Sequence, residues 1–160
     1  MMGELRIGVL TCSDSRASGE YDDSVGLAIV AACEEREWMV VAYHVTARDI
    51  ESITTSITEM ADMDNADVII TLGGTGLTPR DVTPEATEAV CDRLVPGLSE
   101  IVRRAARGDE NFFALSRAIA GAHDKTLVVN LPGGLGPAHA AFEALMGQLE
   151  AAVSQLRTQE

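Results

Sequence analysis

A short apolar run that passes into a glycine-rich turn and then into a helix start is the feature that most constrains this chain. The run at 67–72 is rich in β-branched residues and predicts a buried strand. The turn Gly73-Gly74-Thr75-Gly76 follows directly, and its glycines accept positive φ at little cost. Thr83-Pro84-Glu85 predicts a helix start, with the threonine hydroxyl as N-cap, the proline at the first helical position and the acid facing the dipole. A strand, a turn and a helix in this order can present backbone N–H groups to an anion.

Arg80 and Asp81 stand between the glycine turn and the helix start, near the expected carboxyl end of the strand. A guanidinium and a carboxylate at that place can bind a phosphate and its metal ion. The alternative is a tight strand-to-helix connection in which the two side chains form a surface ion pair. The spacing alone leaves both interpretations open.

Composition and charge exclude several classes of protein. A length of 160 residues favours a single domain over 1–160, and a hydrophobic content of 46% indicates a globular chain. No apolar run approaches the roughly 20 residues that a membrane span needs, so no membrane partner is expected. A net charge of −13 argues against a nucleic-acid partner, since such proteins normally carry a basic surface. Any phosphate site must therefore depend on local N–H groups, arginines and a divalent cation.

The cysteines and the N-terminal residues bear on the compartment. Cys12, Cys33 and Cys91 are widely spaced and fit neither a metal site nor a disulfide framework, which favours reducing conditions. The chain passes almost directly from Met1 into a strand pattern, without a basic region or a small-residue cleavage site. We therefore expect no signal peptide and a cytoplasmic location.

Apolar periodicity predicts that strands alternate with helices along most of the chain. Strands are expected at 5–11, 38–45 and 67–72, and a hairpin at 117–122 and 126–131. Helices are expected at 26–36, 50–60, 84–93 and 98–108, then a helical turn at 111–115 and a last helix over 142–156. This alternation predicts an α/β fold in three layers, with helices on both faces of an open, mostly parallel sheet and one antiparallel edge strand from the hairpin.

Three loops are expected to meet at one edge of this sheet. Ligands of open parallel sheets bind beyond the carboxyl ends of the strands. The small and polar loop at 12–24, the glycine turn at 73–76 and the loop at 130–137 each follow a strand. Their convergence is a stronger sign of a binding site than any one of them.

The sequence lacks the common motifs of other nucleotide and hydrolytic enzymes. The dinucleotide pattern fails because Pro79 stands where its last glycine would be, and neither a Walker A motif nor a G-x-S-x-G motif occurs. The histidines are isolated from one another, so a structural zinc is not expected. Asp49 precedes an amphipathic helix, and its simplest interpretation is an ordinary N-cap.

Several motifs together resemble one family. Gly73–Gly76 followed by Arg80-Asp81-Val82-Thr83-Pro84-Glu85-Ala86-Thr87 resembles the signature of the molybdenum cofactor biosynthesis family, which includes the molybdopterin adenylyltransferases (Mog) and the related MoaB proteins. Weaker similarities support it in the first loop and near the end: Ser13-Asp14 with Arg16, Gly19, Asp23 and Gly26, then Leu115–Ala118 and Asn130–Gly133. These motifs span nearly the whole chain in the expected order. The resemblance implies a Rossmann-like fold that is commonly assembled as a homotrimer.

The resemblance also implies a reaction and a set of site residues. It implies transfer of AMP from ATP, with Mg²⁺, to the terminal phosphate of molybdopterin. The catalytic and metal-binding aspartates of the family fall on Asp49 and Asp81, so Asp49 becomes a catalytic candidate as well as a cap. Substrate binding is expected at Ser13, Asp14, Gly73, Gly74, Thr75, Gly76, Arg80, Ser116, Pro132, Gly133 and Gly134. Other proteins of molybdenum cofactor biosynthesis are possible partners.

Two alternatives and one departure stay open at this point. Gly134 replaces the serine that many relatives carry after Leu-Pro-Gly, which removes a hydroxyl from the expected pterin site. A MoaB-like protein that binds molybdopterin or assembles partners without turnover is the first alternative. A domain of the competence-damage (CinA) type is the second, although the 80–84 motif and the short chain argue against it. For the trimer, the helix end at Met60–Met63 is a candidate contact.

Overall fold

The computed structural model describes residues 4–105 and 114–159, and strands alternate with helices through both ranges. The strands are β1 (Arg6–Cys12), β2 (Met39–Thr46), β3 (Val68–Leu72), β4 (Arg93–Leu94), β5 (Ala120–His123) and β6 (Thr126–Leu131). The helices are α1 (Asp14–Ala17), α2 (Ser24–Glu35), α3 (Ile50–Asp62), α4 (Thr83–Val90), α5 (Pro96–Ala105) and α6 (Leu135–Arg157). The end expected for the helix at 98–108 and most of the turn expected at 111–115 lie outside the described residues.

The six strands form one mixed sheet in the order β2-β1-β3-β6-β5-β4. β1 runs parallel to β2 and β3, and β3 runs parallel to β6. β5 is antiparallel to both of its neighbours. The expected fold class is confirmed, but the antiparallel strand lies one place in from the edge. The edge itself is β4, whose two exposed residues are too few to show any hydrophobic period.

The central strands explain why the sheet is covered on both faces. Every residue of β3 and β6 is buried, as a parallel strand between two helical layers requires. On one face, α2, α5 and α6 pack through residues such as Ile29, Val102 and Phe142. On the other face, α3 and α4 pack through residues such as Ile57 and Ala86. Each fully buried Val, Ile or Phe side chain among these stabilises the fold by roughly 1.5–3 kcal/mol.

Three local expectations change in the structure. The loop at 12–24 contains a one-turn helix, α1, with Ser13 as its N-cap. The hairpin is confirmed, although β5 begins at Ala120 and not at 117. The helix end expected as a trimer contact is half core, because Met60 is fully buried and Ala61 is 8% exposed. Asp62 and Met63 are exposed there, Met63 at 76%.

The expected cap at Thr83 is wrong. α4 begins at Thr83 itself, and the residue in the N-cap position is Val82, which offers no side-chain acceptor. The Thr83 hydroxyl is buried and instead donates to the carbonyl of Gly73 at 2.9 Å. This bond fastens the glycine turn to the helix, so the residue acts between the two elements and not within one.

None of the helices in the described part of the chain has the length and apolar character that crossing a bilayer requires.

Candidate functional site

The loops that follow β1, β3 and β6 meet at the carboxyl ends of these strands. The N–H of Gly73 donates to the carbonyl of Leu131 at 3.0 Å, which ties the glycine turn to the last strand. A Cβ placed on Gly73 would lie 2.8 Å from the carbonyl oxygen of Cys12 at the end of β1. The backbone of three separate segments therefore comes together around the glycine turn.

A cleft of about 420 Å³ opens at this meeting point. It is lined by Gly73, Gly74, Thr75, Gly76, Asp81, Leu115, Ser116, Pro132, Gly133, Gly134 and Pro137. Most of the expected substrate-binding residues thus share one space with Asp81, whereas Ser13, Asp14, Asp49 and Arg80 do not line it. A larger groove of about 540 Å³ lies near β4 and contains none of the expected site residues.

The glycine turn has a backbone conformation that other residues rarely adopt. Gly73 and Gly74 have φ of +92° and +71°. A Cβ on Gly74 would lie 2.2 Å from the hydroxyl oxygen of Thr83. Within 4–105 and 114–159, the N–H groups of Gly74, Thr75 and Gly76 have no hydrogen-bond acceptor. These groups are therefore available to an anion.

Arg117 holds the far side of the turn in place. Its Nε donates to the carbonyl of Gly76 at 2.8 Å, and its Nη2 donates to the carbonyl of Asp81 at 2.7 Å. Its Nη1 donates to the carboxylate of Glu85 at 2.8 Å. Sequence reasoning included Arg117 only as part of a motif, because its partners lie 32 to 41 residues earlier in the chain.

Asp81 is held by its own loop and by a distant arginine. Its Oδ2 accepts from the N–H of Thr78 at 2.9 Å and from the Thr78 hydroxyl at 2.8 Å. Its Oδ1 accepts from Nη1 of Arg48 at 3.3 Å. The side chain is 11% exposed, so the carboxylate is largely withdrawn from bulk water. The surface ion pair that was the alternative for Arg80 and Asp81 does not form.

Arg80 binds the carboxylate of Asp14 instead. Its Nη2 and Nε donate to the two oxygens of Asp14 at 2.8 and 3.0 Å. Arg48 adds its N–H at 2.9 Å and its Nε at 3.3 Å to the same carboxylate. The hydrogen bonds from Arg80 and Arg48 hold the pKa of Asp14 far below its usual range. Arg48 therefore links Asp14 to Asp81, a role that the sequence did not reveal.

Asp49 caps α3, as its position before the helix predicted. Its Oδ1 accepts from the N–H of Ser52 and its Oδ2 from the Ser52 hydroxyl, each at 2.8 Å. The two hydrogen bonds from Ser52 lower the pKa of Asp49, and the positive charge of Arg80 contributes to the same shift. Among the described residues, no side chain is hydrogen-bonded to both Asp49 and Asp81, and Asp49 does not line the cleft that contains Asp81.

A buried carboxylate fixes the base of the first loop. Asp23 is 8% exposed and accepts from the Thr11 hydroxyl at 2.7 Å and from the Tyr43 hydroxyl at 2.5 Å. It also caps α2 by accepting from the N–H of Gly26 at 3.1 Å. Burial, and then the hydrogen bond to Asp23, raises the pKa of Tyr43. The loop that carries Ser13 and Asp14 thus returns to the sheet at a fixed point.

The donor set does not form a ready-made metal cage. Among residues 4–105 and 114–159, no group of three or more His, Cys, Asp or Glu side chains is arranged to hold a metal ion. The carboxylates of Asp14 and Asp81 instead alternate with the guanidinium groups of Arg48 and Arg80. What the site offers is a set of free amides beside a network of paired charges.

Comparison with known proteins identifies a family. A family described as "probable molybdopterin binding domain" matches residues 8–151. A molybdopterin adenylyltransferase of Helicobacter pylori (strain ATCC 700392 / 26695) is 38% identical over 134 residues, which cover 82% of this chain and 76% of that protein.

Two solved structures have the same fold. The molybdopterin biosynthesis enzyme MoaB from Thermus thermophilus is 39% identical, with a TM-score of 0.88 over 95% of this chain and 96% of that one. The molybdopterin biosynthesis Mog protein from Mycobacterium ulcerans is 31% identical, with a TM-score of 0.88 over 97% of this chain and 98% of that one.

Proposed function

Because the chain belongs to the family described as probable molybdopterin binding domains, we propose that it is a molybdopterin adenylyltransferase, which transfers AMP from ATP to the terminal phosphate of molybdopterin. An oxygen of the pterin phosphate forms a bond to the α-phosphorus of ATP. The bond from that phosphorus to the bridging oxygen of the β-phosphate breaks, and pyrophosphate leaves. The observation that carries this proposal is the cleft that the glycine turn lines together with Asp81, since the amides of that turn have no acceptor among the described residues.

The pterin phosphate binds at the glycine turn. The N–H groups of Gly74, Thr75 and Gly76 supply donors to its oxygens, and the glycines of the turn have no side chain that would keep the phosphate away from the backbone. The loop at 132–134 and Ser116 form the opposite wall. Gly134 supplies no hydroxyl there, so that wall binds through backbone groups and through Ser116.

Asp49 and Asp81 would hold a magnesium ion that enters with ATP. Mg²⁺ in such sites takes one or two carboxylates and otherwise phosphate oxygens and water, which suits a site without a protein cage. Both carboxylates accept hydrogen bonds already, yet each has further lone pairs to offer. When bound, the ion neutralises charge on the phosphates. Asp49 and Asp81 also orient the attacking phosphate oxygen towards the α-phosphorus, and such positioning accounts for much of the catalysis in reactions of this class.

The nucleotide lies on the other side of Asp81, against the first loop. Ser13, Asp14 and Arg80 flank it there, and Arg80 complements the phosphate charge. This placement brings ATP next to the cleft without competing for the glycine turn. The protein functions as a single domain over 1–160 and as a homotrimer in the cytoplasm, where its three free cysteines stay reduced.

Product analysis tests the proposal directly. The protein is incubated with molybdopterin and Mg-ATP, and pyrophosphate and adenylylated molybdopterin are quantified. We expect turnover by the wild type and a loss of about 10²- to 10³-fold in Asp49→Ala and in Asp81→Ala. The matched control is Asp92→Asn, which changes the charge of a carboxylate paired with Arg93 near β4 and is expected to turn over normally. Wild-type rates in both aspartate variants would contradict the assignment.

A binding function without turnover is the second candidate. One observation favours it: Asp49 does not line the cleft that contains Asp81, so the two proposed catalytic carboxylates do not share that space. In that case the same cleft would hold molybdopterin, and the paired charges around Asp14 would stay undisturbed. Calorimetric titration with molybdopterin and Mg-ATP separates the two, because binding without pyrophosphate release selects the MoaB-like function.

A further inference from the structure

The carboxylate of Asp14 lies where two arginine side chains converge at the carboxyl edge of the sheet. We propose that Arg48 and Arg80 form a binding site for the polyphosphate part of the nucleotide, and that Asp14 occupies this site until the polyphosphate displaces it. Naming the ligand as part of a nucleotide rests on the proposed adenylyltransferase function. The site itself rests on the geometry of the three side chains.

Arg80 binds Asp14 in the way that arginine binds a phosphate. Its Nε and Nη2 donate to two different oxygens at 3.0 and 2.8 Å, which is the bidentate arrangement that fits carboxylates and phosphates alike. The Arg80 side chain is 53% exposed, so an anion from solvent can reach it without rearrangement of the core. The carboxylate thus stands in for two oxygens of a phosphate group.

Arg48 extends the site towards the cleft. Its N–H and its Nε donate to Asp14, and its Nη1 donates to Asp81 at 3.3 Å. Asp81 in turn lines the cleft that holds the glycine turn. A polyphosphate that replaced Asp14 between the two guanidinium groups would therefore lie beside the proposed catalytic carboxylate.

The existing partners of the nearby arginines make Arg48 and Arg80 the pair best suited to bind a polyphosphate. Arg117, the arginine that holds the glycine turn, is already bonded to two carbonyls and to the carboxylate of Glu85. Arg48 and Arg80 are held mainly by Asp14, an exchangeable partner of the same charge sign as a phosphate. With a net charge of −13, the protein gains little long-range attraction for a polyanion and needs such local cations.

Occupation by Asp14 has a measurable consequence. The carboxylate keeps two positive groups close together and oriented when no ligand is bound, but any incoming polyphosphate must compete with it. Asparagine at position 14 therefore removes the competing negative charge but keeps an amide oxygen that can accept from the two arginines. Tighter polyphosphate binding is the expected result, which is the opposite of what a ligand-binding aspartate would show.

The experiment uses inorganic tripolyphosphate as the probe, without magnesium, and isothermal titration of the full chain. We expect Asp14→Asn to bind it about 10-fold more tightly than the wild type, a difference of about 1.4 kcal/mol. The matched control is Asp92→Asn, whose carboxylate also accepts from a backbone N–H and from an arginine, although from one arginine where Asp14 has two, and lies away from the site. It makes the same change in net charge and is expected to leave the affinity unchanged.

Two further variants establish where the probe binds. Arg48→Gln and Arg80→Gln, each combined with Asp14→Asn, are expected to return the affinity to the wild-type level or below it. Weaker or unchanged binding by Asp14→Asn, in a sample whose thermal unfolding is cooperative, would overturn the proposal. An equal gain in Asp92→Asn would do the same, since it would show a general charge effect. If Asp14→Asn does not fold, the test uses Arg48→Gln and Arg80→Gln as single variants. Tripolyphosphate affinity equal to that of the wild type in both variants would reject the site.

Because tripolyphosphate binding needs no turnover, this site and the proposed reaction can fail separately. If the protein adenylylates molybdopterin but Asp14→Asn does not bind tripolyphosphate more tightly, the proposed function stands and the proposed polyphosphate site is rejected. If Asp14→Asn binds tripolyphosphate more tightly but the protein shows no turnover, the site stands and the binding function is favoured.

Discussion

At the scale of single residues, Gly74 and Gly147 show how adding one Cβ atom can have opposite effects on stability. Gly74 has φ of +71°, and a Cβ there would lie 2.2 Å from the Thr83 hydroxyl. Gly147 lies on the exposed side of α6, with no atom within 4 Å of the place that a Cβ would take. The first position needs glycine because of its conformation and its neighbour, whereas the second only carries the entropy cost of glycine in a helix.

We therefore predict opposite stability changes for Gly74→Ala and Gly147→Ala. Gly74→Ala should lower the free energy of unfolding by at least about 1–3 kcal/mol and should weaken binding of molybdopterin. Gly147→Ala should raise the free energy of unfolding by about 0.5–1 kcal/mol and leave binding unchanged. Urea unfolding and pterin titration measure both effects. Normal stability in Gly74→Ala would mean that the turn does not need its left-handed conformation.

A second prediction at this scale concerns the guanidinium of Arg117. Lysine keeps the charge but lacks the planar, rigid set of donors with which the guanidinium holds the carbonyls of Gly76 and Asp81, so Arg117→Lys should let the loop at 76–81 shift. Misplacement by about 1 Å can cost on the order of 10²-fold in rate, and we expect a loss of that order in kcat, with a smaller change in KM for ATP.

The control for Arg117→Lys is Glu85→Gln, which weakens only the ion pair and leaves the two bonds to carbonyls intact. We expect it to keep nearly the wild-type kcat. If Glu85→Gln loses as much activity as Arg117→Lys, then the ion pair matters and the carbonyl clamp does not. Steady-state kinetics on both variants measure this difference.

At the scale of elements, the start of α3 combines a helix cap with a proposed catalytic carboxylate. Serine at position 49 can still cap the helix through its hydroxyl, but it supplies no negative charge. We predict that Asp49→Ser keeps the thermal stability of the wild type and loses activity about 10²- to 10³-fold. Asp49→Ala should lose both stability and activity. Calorimetry and product analysis on the two variants therefore separate the two roles. Full activity in Asp49→Ser would mean that Asp49 acts only as a helix cap.

His123 joins three elements and gives the fold a pH dependence. Its Nδ1 lies 2.7 Å from the carbonyl of Val90 at the end of α4, so this nitrogen must carry a proton. Its Nε2 lies 3.1 Å from the carboxylate of Asp62 at the end of α3. Only the protonated ring can donate to both partners. The hydrogen bond to Val90, and then the one to Asp62, raises the pKa of His123, and the nearby charge of Asp92 adds to the shift.

The sign of the effect on stability follows from this shift. A pKa that is higher in the folded state stabilises the fold fully below the unfolded value of 6.5, and the contribution is lost as pH rises through the folded value. We predict that His123→Gln lowers the free energy of unfolding by about 0.5–1 kcal/mol more near pH 5.5 than near pH 8.5. Urea unfolding at both pH values measures it, with Asp62→Asn as the companion that should reduce the same difference. An equal loss at both pH values would remove His123 from the pH dependence.

Elements with a strong hydrophobic period were predictable from the sequence, and contacts between distant elements were not. β3 and α3 follow directly from their apolar patterns, and the Asp49 cap follows from its local position. β4 was missed because two exposed residues carry no pattern. The position of Thr83 before Pro84 predicts a helix cap. The sequence does not reveal its actual hydrogen bond to the carbonyl of Gly73, because that bond forms only when the chain folds back on itself.

The same limit applies to the candidate site. The glycine turn was found because its motif is contiguous in the sequence. Arg48 was missed because it belongs to no motif and meets Asp14 only across 34 residues. One signal was available: β1 and β2 are neighbouring parallel strands, so the residues that follow them lie side by side. A search for arginines at the carboxyl ends of all the expected strands would have found it.

At the scale of the whole molecule, the two edges of the sheet are protected differently. β4 is two residues long and carries Arg93, whose side chain is 65% exposed, and short charged edges resist pairing with other strands. β2 is eight residues long, contains no proline, lysine, arginine or acid, and is only partly covered along its length. An edge of this kind is usually covered by another part of a protein or by another chain.

We therefore expect the homotrimer to cover β2 and to leave β4 open. Multi-angle light scattering at micromolar concentration should give three times the 17.0 kDa mass of the chain. Hydrogen–deuterium exchange on the same sample should show slow exchange along β2 and fast exchange at β4, because amides at a covered edge are shielded from water. A mass of 17.0 kDa at all concentrations would exclude the trimer, whereas a trimer with rapid exchange along β2 would place the interface on another surface.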